Sequence, residues 1–167
     1  SGKFQTGDLV VMVPHCPTEK DDYIAENYLR SSKFCGSSMD GFLQEFVEIS
    51  PNRLVKLPQD IDRNVAAFTE IISVSVHAIT RFDKIAHARR DVIGVWGDGN
   101  LGYITSLFLK YMFPESKIAV FGTNREKLND FTFADETHLV NEVPDGFTMD
   151  HAFECVGGNA AHRAINQ

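Results

Sequence analysis

Residues 91–102 read DVIGVWGDGNLG: a short apolar run over 91–96 breaks into three glycines, Gly97, Gly99 and Gly102, and an apolar-periodic helix is predicted from Leu101 to residue 113. Strand, glycine loop and helix in that order form the start of a nucleotide-binding βα unit. Each glycine has a distinct task there. Gly97 permits the tight turn, Gly99 lets backbone approach a pyrophosphate, and Gly102 lets the helix pack closely on the strand. The backbone N–H groups near Asn100 and Leu101 then face the phosphates at the positive end of the helix, without any cationic side chain. The alternative is a glycine-rich turn in an unrelated α/β protein. What favours dinucleotide binding is the next strand, predicted over 117–121 (KIAVF).

Outward from the loop, β and α signals keep alternating. A further helix is predicted from Arg125, a third strand over 137–140, a fourth over 149–155 (MDHAFEC), and another helix from Asn159 onward. Short strands alternating with helices call for a parallel, doubly wound sheet. The N-terminal part differs. Residues 7–13 (GDLVVMV), 41–49 (GFLQEFVEI) and 53–57 (RLVKL) read as strands, and 15–40 as an irregular lobe, so this part is mostly β. Residues 61–79 are apolar with helical spacing, and Asp60 and Asp62 are available as caps. The predicted organisation is therefore 1–60 as part of a β domain, 61–90 as bridging helices and 91–167 as the first part of a dinucleotide-binding domain.

The end of the second strand points to the kind of dinucleotide. An NAD-specific site places a carboxylate there, about 20 residues past the loop, on the ribose 2′-hydroxyl. Here Gly122 stands 20 residues after Gly102, followed by Thr123, Asn124 and Arg125. Glycine leaves room for a 2′-phosphate, hydroxyl and amide groups donate to it, and Arg125 offers a charge-assisted fork. The expected cofactor is NADP(H). The competing reading of Arg125 is a solvated charge in the first turn of a helix.

Composition excludes other classes. With 16 Lys and Arg against 23 Asp and Glu the net charge is −7, so polyanions, nucleic acid and anionic membrane surfaces are poor partners. Apolar residues at 43% and charged residues at 23% suit an ordinary folded protein. Three scattered cysteines, Cys16, Cys35 and Cys155, make no disulfide framework, and with no signal or membrane-spanning segment they favour a cytoplasmic protein. A start at Ser1 and a stop at Gln167 inside a predicted helix suggest a piece of a longer chain. A parallel sheet ending after four strands exposes an apolar edge, which further protein or another copy would cover; a homo-oligomer is expected.

Several segments together resemble the zinc-dependent medium-chain dehydrogenase/reductase family: GDLVVMVP (7–14), DGFLQEFVEISPNRLVKLP (40–58), TEIISVSVHAI (69–79), VIGVWGDGNLG (92–102) and FECVGG (153–158). The resemblance implies part of a GroES-like catalytic domain followed by part of a Rossmann domain. It also places Cys155 and Val156 at the cofactor cleft. TEIISVSVHAI is similar to the family's Glu-Pro-(Leu/Met)-x-Val-x-x-His-Ala helix, with Ile71 in place of proline. By that match Glu70 stands beside a catalytic zinc, as ligand or bonded to the metal-bound water. A carboxylate on an apolar helix needs such a cation or donors to stay ionised; its competing reading is a solvent-facing residue near a helix start. The family's other zinc-site residues, a cysteine and a His-Glu pair, normally precede the GDLVV strand, so zinc is expected in a full-length parent. The family's structural zinc needs four closely spaced cysteines. Cys16 and Cys35, with eighteen residues between them, are instead expected to be ordinary thiols, and His77 a packing histidine.

Within that family, the lobe 15–42 and the stretch FGTNREKLNDF (121–131) are most similar to the ribulose-5-phosphate reductases, or ribitol-5-phosphate dehydrogenases, of teichoic acid and capsule synthesis. This resemblance implies NADPH as reductant, a sugar-phosphate ketone as substrate, and zinc as the Lewis acid. Two alternatives stand beside it: another zinc-dependent alcohol or polyol dehydrogenase, and a noncatalytic NADP(H)-binding module.

Overall fold

The computed structural model describes residues 2–158 and Ala161. The chain divides into two compact units, residues 1–70 and 71–167. The predicted bridging segment, 61–90, straddles that division. Apart from Ala161, the helix predicted from Asn159 onward lies outside the described residues.

In the first unit, β1 (Val10–Met12) and β4 (Leu54–Lys56) form one antiparallel ladder, while β2 (His15–Cys16) and β3 (Lys33–Phe34) form another. Pro14 ends the first strand, and the lobe between β2 and β3 carries only a 3-10 turn over Glu26–Tyr28. The strand predicted over 41–49 does not form. Its alternation would need a partner ladder and a core face, yet Leu43 and Phe46 are 104% and 83% exposed. Two helices replace the single one predicted over 61–79: α1 (Arg63–Ala66) and α2 (Thr69–Ile85). Asp62 caps α1, its side chain accepting from Asn64 N–H at 2.7 Å.

The second unit is a four-stranded parallel sheet. Its strands are β5 (Val92–Trp96), β6 (Lys117–Gly122), β7 (Glu136–Leu139) and β8 (His151–Glu154), in the order β7-β6-β5-β8. The helix α3 (Asn100–Met112) links β5 to β6, and the single-turn α4 (Arg125–Leu128) follows β6. The chain runs outward from β5 through β6 to β7, then returns to β5's other side. This is the α/β arrangement expected from the alternating pattern, with its switch point at the carboxyl ends of β5 and β8.

Alternation along the central strands feeds two cores, because a parallel sheet is covered on both faces. Ile93, Val95, Ile118 and Val120 join Ile79, Leu109, Leu128 and Phe131 on one face. Trp96, Ala119 and Phe121 join Met149 and Phe147 on the other, with the Trp96 and Phe121 rings stacked 4.3 Å apart. Gly94 is small for a reason: a Cβ there would lie 2.4 Å from Met149 Sδ. A buried hydroxyl pair, Ser75 with Thr105 at 3.0 Å, joins α2 to α3. No helix among the described residues is long and apolar enough to cross a membrane.

Candidate functional site

The three glycines behave differently once their surroundings are visible. Gly97 has φ +130°, in the region that favours glycine, and its N–H continues the β5–β6 ladder to Phe121 O at 2.8 Å. A Cβ at Gly102 would lie 1.9 Å from Gly97 O, so the first turn of α3 can close on the loop only without a side chain there. Gly99 is the N-cap of α3, is exposed, and would put a Cβ into open space. No side chain caps this helix end. Thus Gly97 and Gly102 are required by the protein's own packing, whereas the space over Gly99 is a cradle that none of the described residues fills. The start of α3, Gly99 with Asn100 and Leu101, fits an anionic group held by backbone N–H and the helix dipole.

Gly122, Thr123, Asn124 and Arg125 follow at the end of β6, beside this loop because Trp96 pairs with Phe121. The room predicted at Gly122 is already taken. A Cβ there would lie 2.6 Å from Asp98 Cβ and 2.7 Å from Asp98 Oδ2. That same Oδ2 accepts hydrogen bonds from the backbone N–H groups of Thr123 and Asn124, both at 2.7 Å. The predicted reason for Gly122 therefore changes: the glycine accommodates a carboxylate reaching over from the glycine loop. Asn124 is occupied as well, its Oδ1 capping α4 by accepting from Lys127 N–H at 3.2 Å. Arg125 pairs with Glu142 at 2.5 Å, with both side chains about half exposed. An exposed pair of this kind contributes at most about 1 kcal/mol, so Arg125 can change partners at little cost.

Cys155 and Val156 lie just past β8, on the far side of the switch point. Cys155 backs onto the loop, its carbonyl carbon and oxygen 3.0 Å from where a Gly97 Cβ would stand. Its Sγ donates to Thr105 Oγ1 at 3.8 Å, and burial pushes the thiol above its usual pKa. Val156 is exposed, and its N–H and that of Gly157 donate to Glu154 Oε1 at 2.5 and 2.8 Å. Carboxylates thus occupy paired backbone donors past two strands of this sheet.

In the first unit, Glu70 sits in the first turn of α2 and is exposed rather than buried on an apolar helix. With Arg63, Pro14, Phe34 and Cys35 it lines a groove of about 630 Å³. Among the described residues no three His, Cys, Asp or Glu side chains gather as a metal site. Glu70 alone does not make a zinc site. His77, expected to pack, is exposed, because its face of α2 is not covered by the described core. Cys16 and Cys35 are not independent thiols. The β2–β3 hairpin brings their sulfurs to 3.7 Å, and burial together with Cys16 pushes the Cys35 thiol up. Eighteen intervening residues concealed a contact that strand pairing creates.

Asp98 was not singled out by the sequence. The signal was present all the same: the carboxylate missing from position 122 appears inside the loop, at a position that parallel pairing makes its neighbour.

A glycine-loop sheet of order β7-β6-β5-β8, in a chain that also carries a small β unit, has the fold seen in alcohol dehydrogenase structures. An alcohol dehydrogenase structure from Aeropyrum pernix shows the same fold, with TM-score 0.78 over 99% of this chain and 52% of that one, at 20% identity. By sequence the chain is similar to ribulose-5-phosphate reductase 1 of Staphylococcus aureus: 54% identical over 166 residues, covering 99% of this chain and 49% of that protein. The S. aureus TarJ structure in complex with NADPH matches with TM-score 0.76 and 44% identity, over 99% of this chain and 45% of that one. The chain spans about half the length of the curated relatives it matches. No protein-family model matches it.

Proposed function

We infer that this chain forms the coenzyme-holding part of a reductase that transfers hydride from NADPH to the ketone of a sugar phosphate, converting ribulose 5-phosphate to ribitol 5-phosphate. The observation that carries the reading is the open, uncapped start of α3 at Gly99, framed by two glycines that the fold itself requires. The 54% identity to a ribulose-5-phosphate reductase supports the substrate, and the TarJ complex supports NADPH. When bound, the coenzyme supplies a hydride to the carbonyl carbon while a proton completes the alcohol.

The chain's own residues bind and orient. Backbone at Gly99, Asn100 and Leu101 holds the pyrophosphate, and the turn Gly122, Thr123, Asn124 and Arg125 receives the adenosine end, with Arg125 exchanging Glu142 for the 2′-phosphate. Cys155 and Val156 border the cleft where the strand order reverses. Glu70 would be this chain's contribution to a metal centre, the other ligands being supplied from outside it.

The test is consumption of NADPH by the full-length protein, followed by the absorbance of the reduced nicotinamide, with ribulose 5-phosphate and with unphosphorylated ribulose. Rapid turnover of the phosphate ester alone is expected. Equal rates with both sugars would remove the phosphate specificity and favour a general polyol dehydrogenase. Binding of NADPH without turnover of any sugar would favour the noncatalytic module.

A further inference from the structure

We propose that Asp98 is a built-in anion occupying the seat of the coenzyme's 2′-phosphate, and that its displacement from the Thr123 and Asn124 amides sets the choice between NADPH and NADH. This rests on the coenzyme reading above and adds to it the residue that decides selectivity.

Two successive backbone N–H groups converging on one oxygen form an anion seat. The seat at the end of β6 is made by Thr123 and Asn124, both donating to Asp98 Oδ2 at 2.7 Å, with the Thr123 hydroxyl 3.5 Å away. It is exposed at Thr123 and Asn124, so an incoming anion can reach it. It is also adjustable, because Asp98 stands on the loop rather than on the strand that makes the seat. A carboxylate fixed at position 122 could not leave. One carried by Asp98 can turn away about its side-chain bonds while the loop stays in place, since Gly97 N–H remains on Phe121 O and Gly102 remains packed on Gly97.

The consequence for the two coenzymes is opposite in sign. A 2′-phosphate and the Asp98 carboxylate are both anions and both acceptors, so they compete for the same two donors and repel each other. A 2′-hydroxyl is a donor, and the resident carboxylate can accept from it without moving. Asp98 therefore weakens NADPH and helps NADH, narrowing a preference for NADPH that Thr123, Asn124 and Arg125 otherwise create.

The experiment is titration of NADPH and NADH into the full-length wild type, Asp98→Asn and Asp98→Ala, with adenosine 2′,5′-bisphosphate and adenosine 5′-monophosphate as probes of the adenosine end alone. Removal of one unit charge beside a phosphate at the protein surface is expected to raise the ratio of the NADH to the NADPH Kd about tenfold in Asp98→Asn, and further in Asp98→Ala. The two probes should shift in the same sense. Asp98→Asn keeps the size and an acceptor oxygen, so it reports on charge even if the alanine variant loosens the turn. A ratio that stays constant or falls in both variants overturns the proposal while leaving NADPH binding by the wild type intact. Failure of the wild type to bind either coenzyme overturns the coenzyme reading itself.

Discussion

Gly99→Ala separates folding from coenzyme binding more cleanly than any other single change in the loop. In the free protein a Cβ at 99 meets nothing within 4 Å, and φ of −94° suits any residue. The stability cost is then confined to the weaker N-cap preference of alanine, roughly 0.5–1 kcal/mol. In the complex the same methyl occupies the cradle and holds a phosphate away from the first N–H groups of α3. Each lost charge-assisted hydrogen bond is worth about 1.5–3 kcal/mol, so loss of one or two weakens NADPH binding by roughly 10-fold to 1000-fold or more. The assay pairs calorimetric titration of NADPH with thermal unfolding of the coenzyme-free, full-length protein. A melting temperature within a few degrees of wild type, beside a Kd raised at least tenfold, is the expected pair of results. NADPH affinity within threefold of wild type would refute the reasoning, because the phosphates would then have to sit elsewhere.

Two further outcomes follow from the side chains around the sheet and the lobe. Burial raises the Asp135 pKa, but the Ile118 N–H at 2.7 Å and Lys110 Nζ at 2.9 Å outweigh it and hold the carboxyl below its usual value; Asp150 is lowered first by the Val92 N–H, then by Arg89 and the Asp91 N–H. Groups depressed on folding give stability that is complete above the unfolded carboxylate pKa and is lost as pH falls through the folded value. Urea midpoints should therefore fall below about pH 4 and the fall should be shallower in Asp135→Asn, which itself costs about 1 kcal/mol at neutral pH after solvent screening; an identical acid profile in the variant would contradict the assignment. For the lobe, Cys16 and Cys35 sulfurs at 3.7 Å need only a small closure to reach a disulfide length of about 2.05 Å. Oxidised glutathione should cross-link them within one chain, with loss of two hydrogens in the mass of the joined peptides, whereas separate glutathione adducts on each cysteine would show that the pair does not close.

The glycine loop, the alternation of strands and helices and the approximate positions of the strands in the second unit were legible because they are local: an apolar run, a φ-permissive residue and a helical period follow one another along the chain. The helix boundary was less legible. The segment 61–79 kept one period throughout, yet it breaks between Ala66 and Thr69, with Asp62 capping a separate first turn. Strand 41–49 was misread because alternation shows only that a segment suits a sheet; pairing requires a partner, which lies elsewhere in space.

Chain order alone places Gly97, Gly99 and Gly102 between a strand and a helix and leaves position 122 without a carboxylate. Folding in three dimensions is what brings a carboxylate there from Asp98 on the adjacent strand's loop, sets Cys16 against Cys35 and leaves His77 and Glu70 exposed. The physical reason is the range of the interactions. Backbone conformation and periodicity act over a few residues, whereas the Asp98 bonds join positions 25 and 26 residues apart and the cysteine contact 19, and these exist only after parallel and antiparallel ladders have fixed their register.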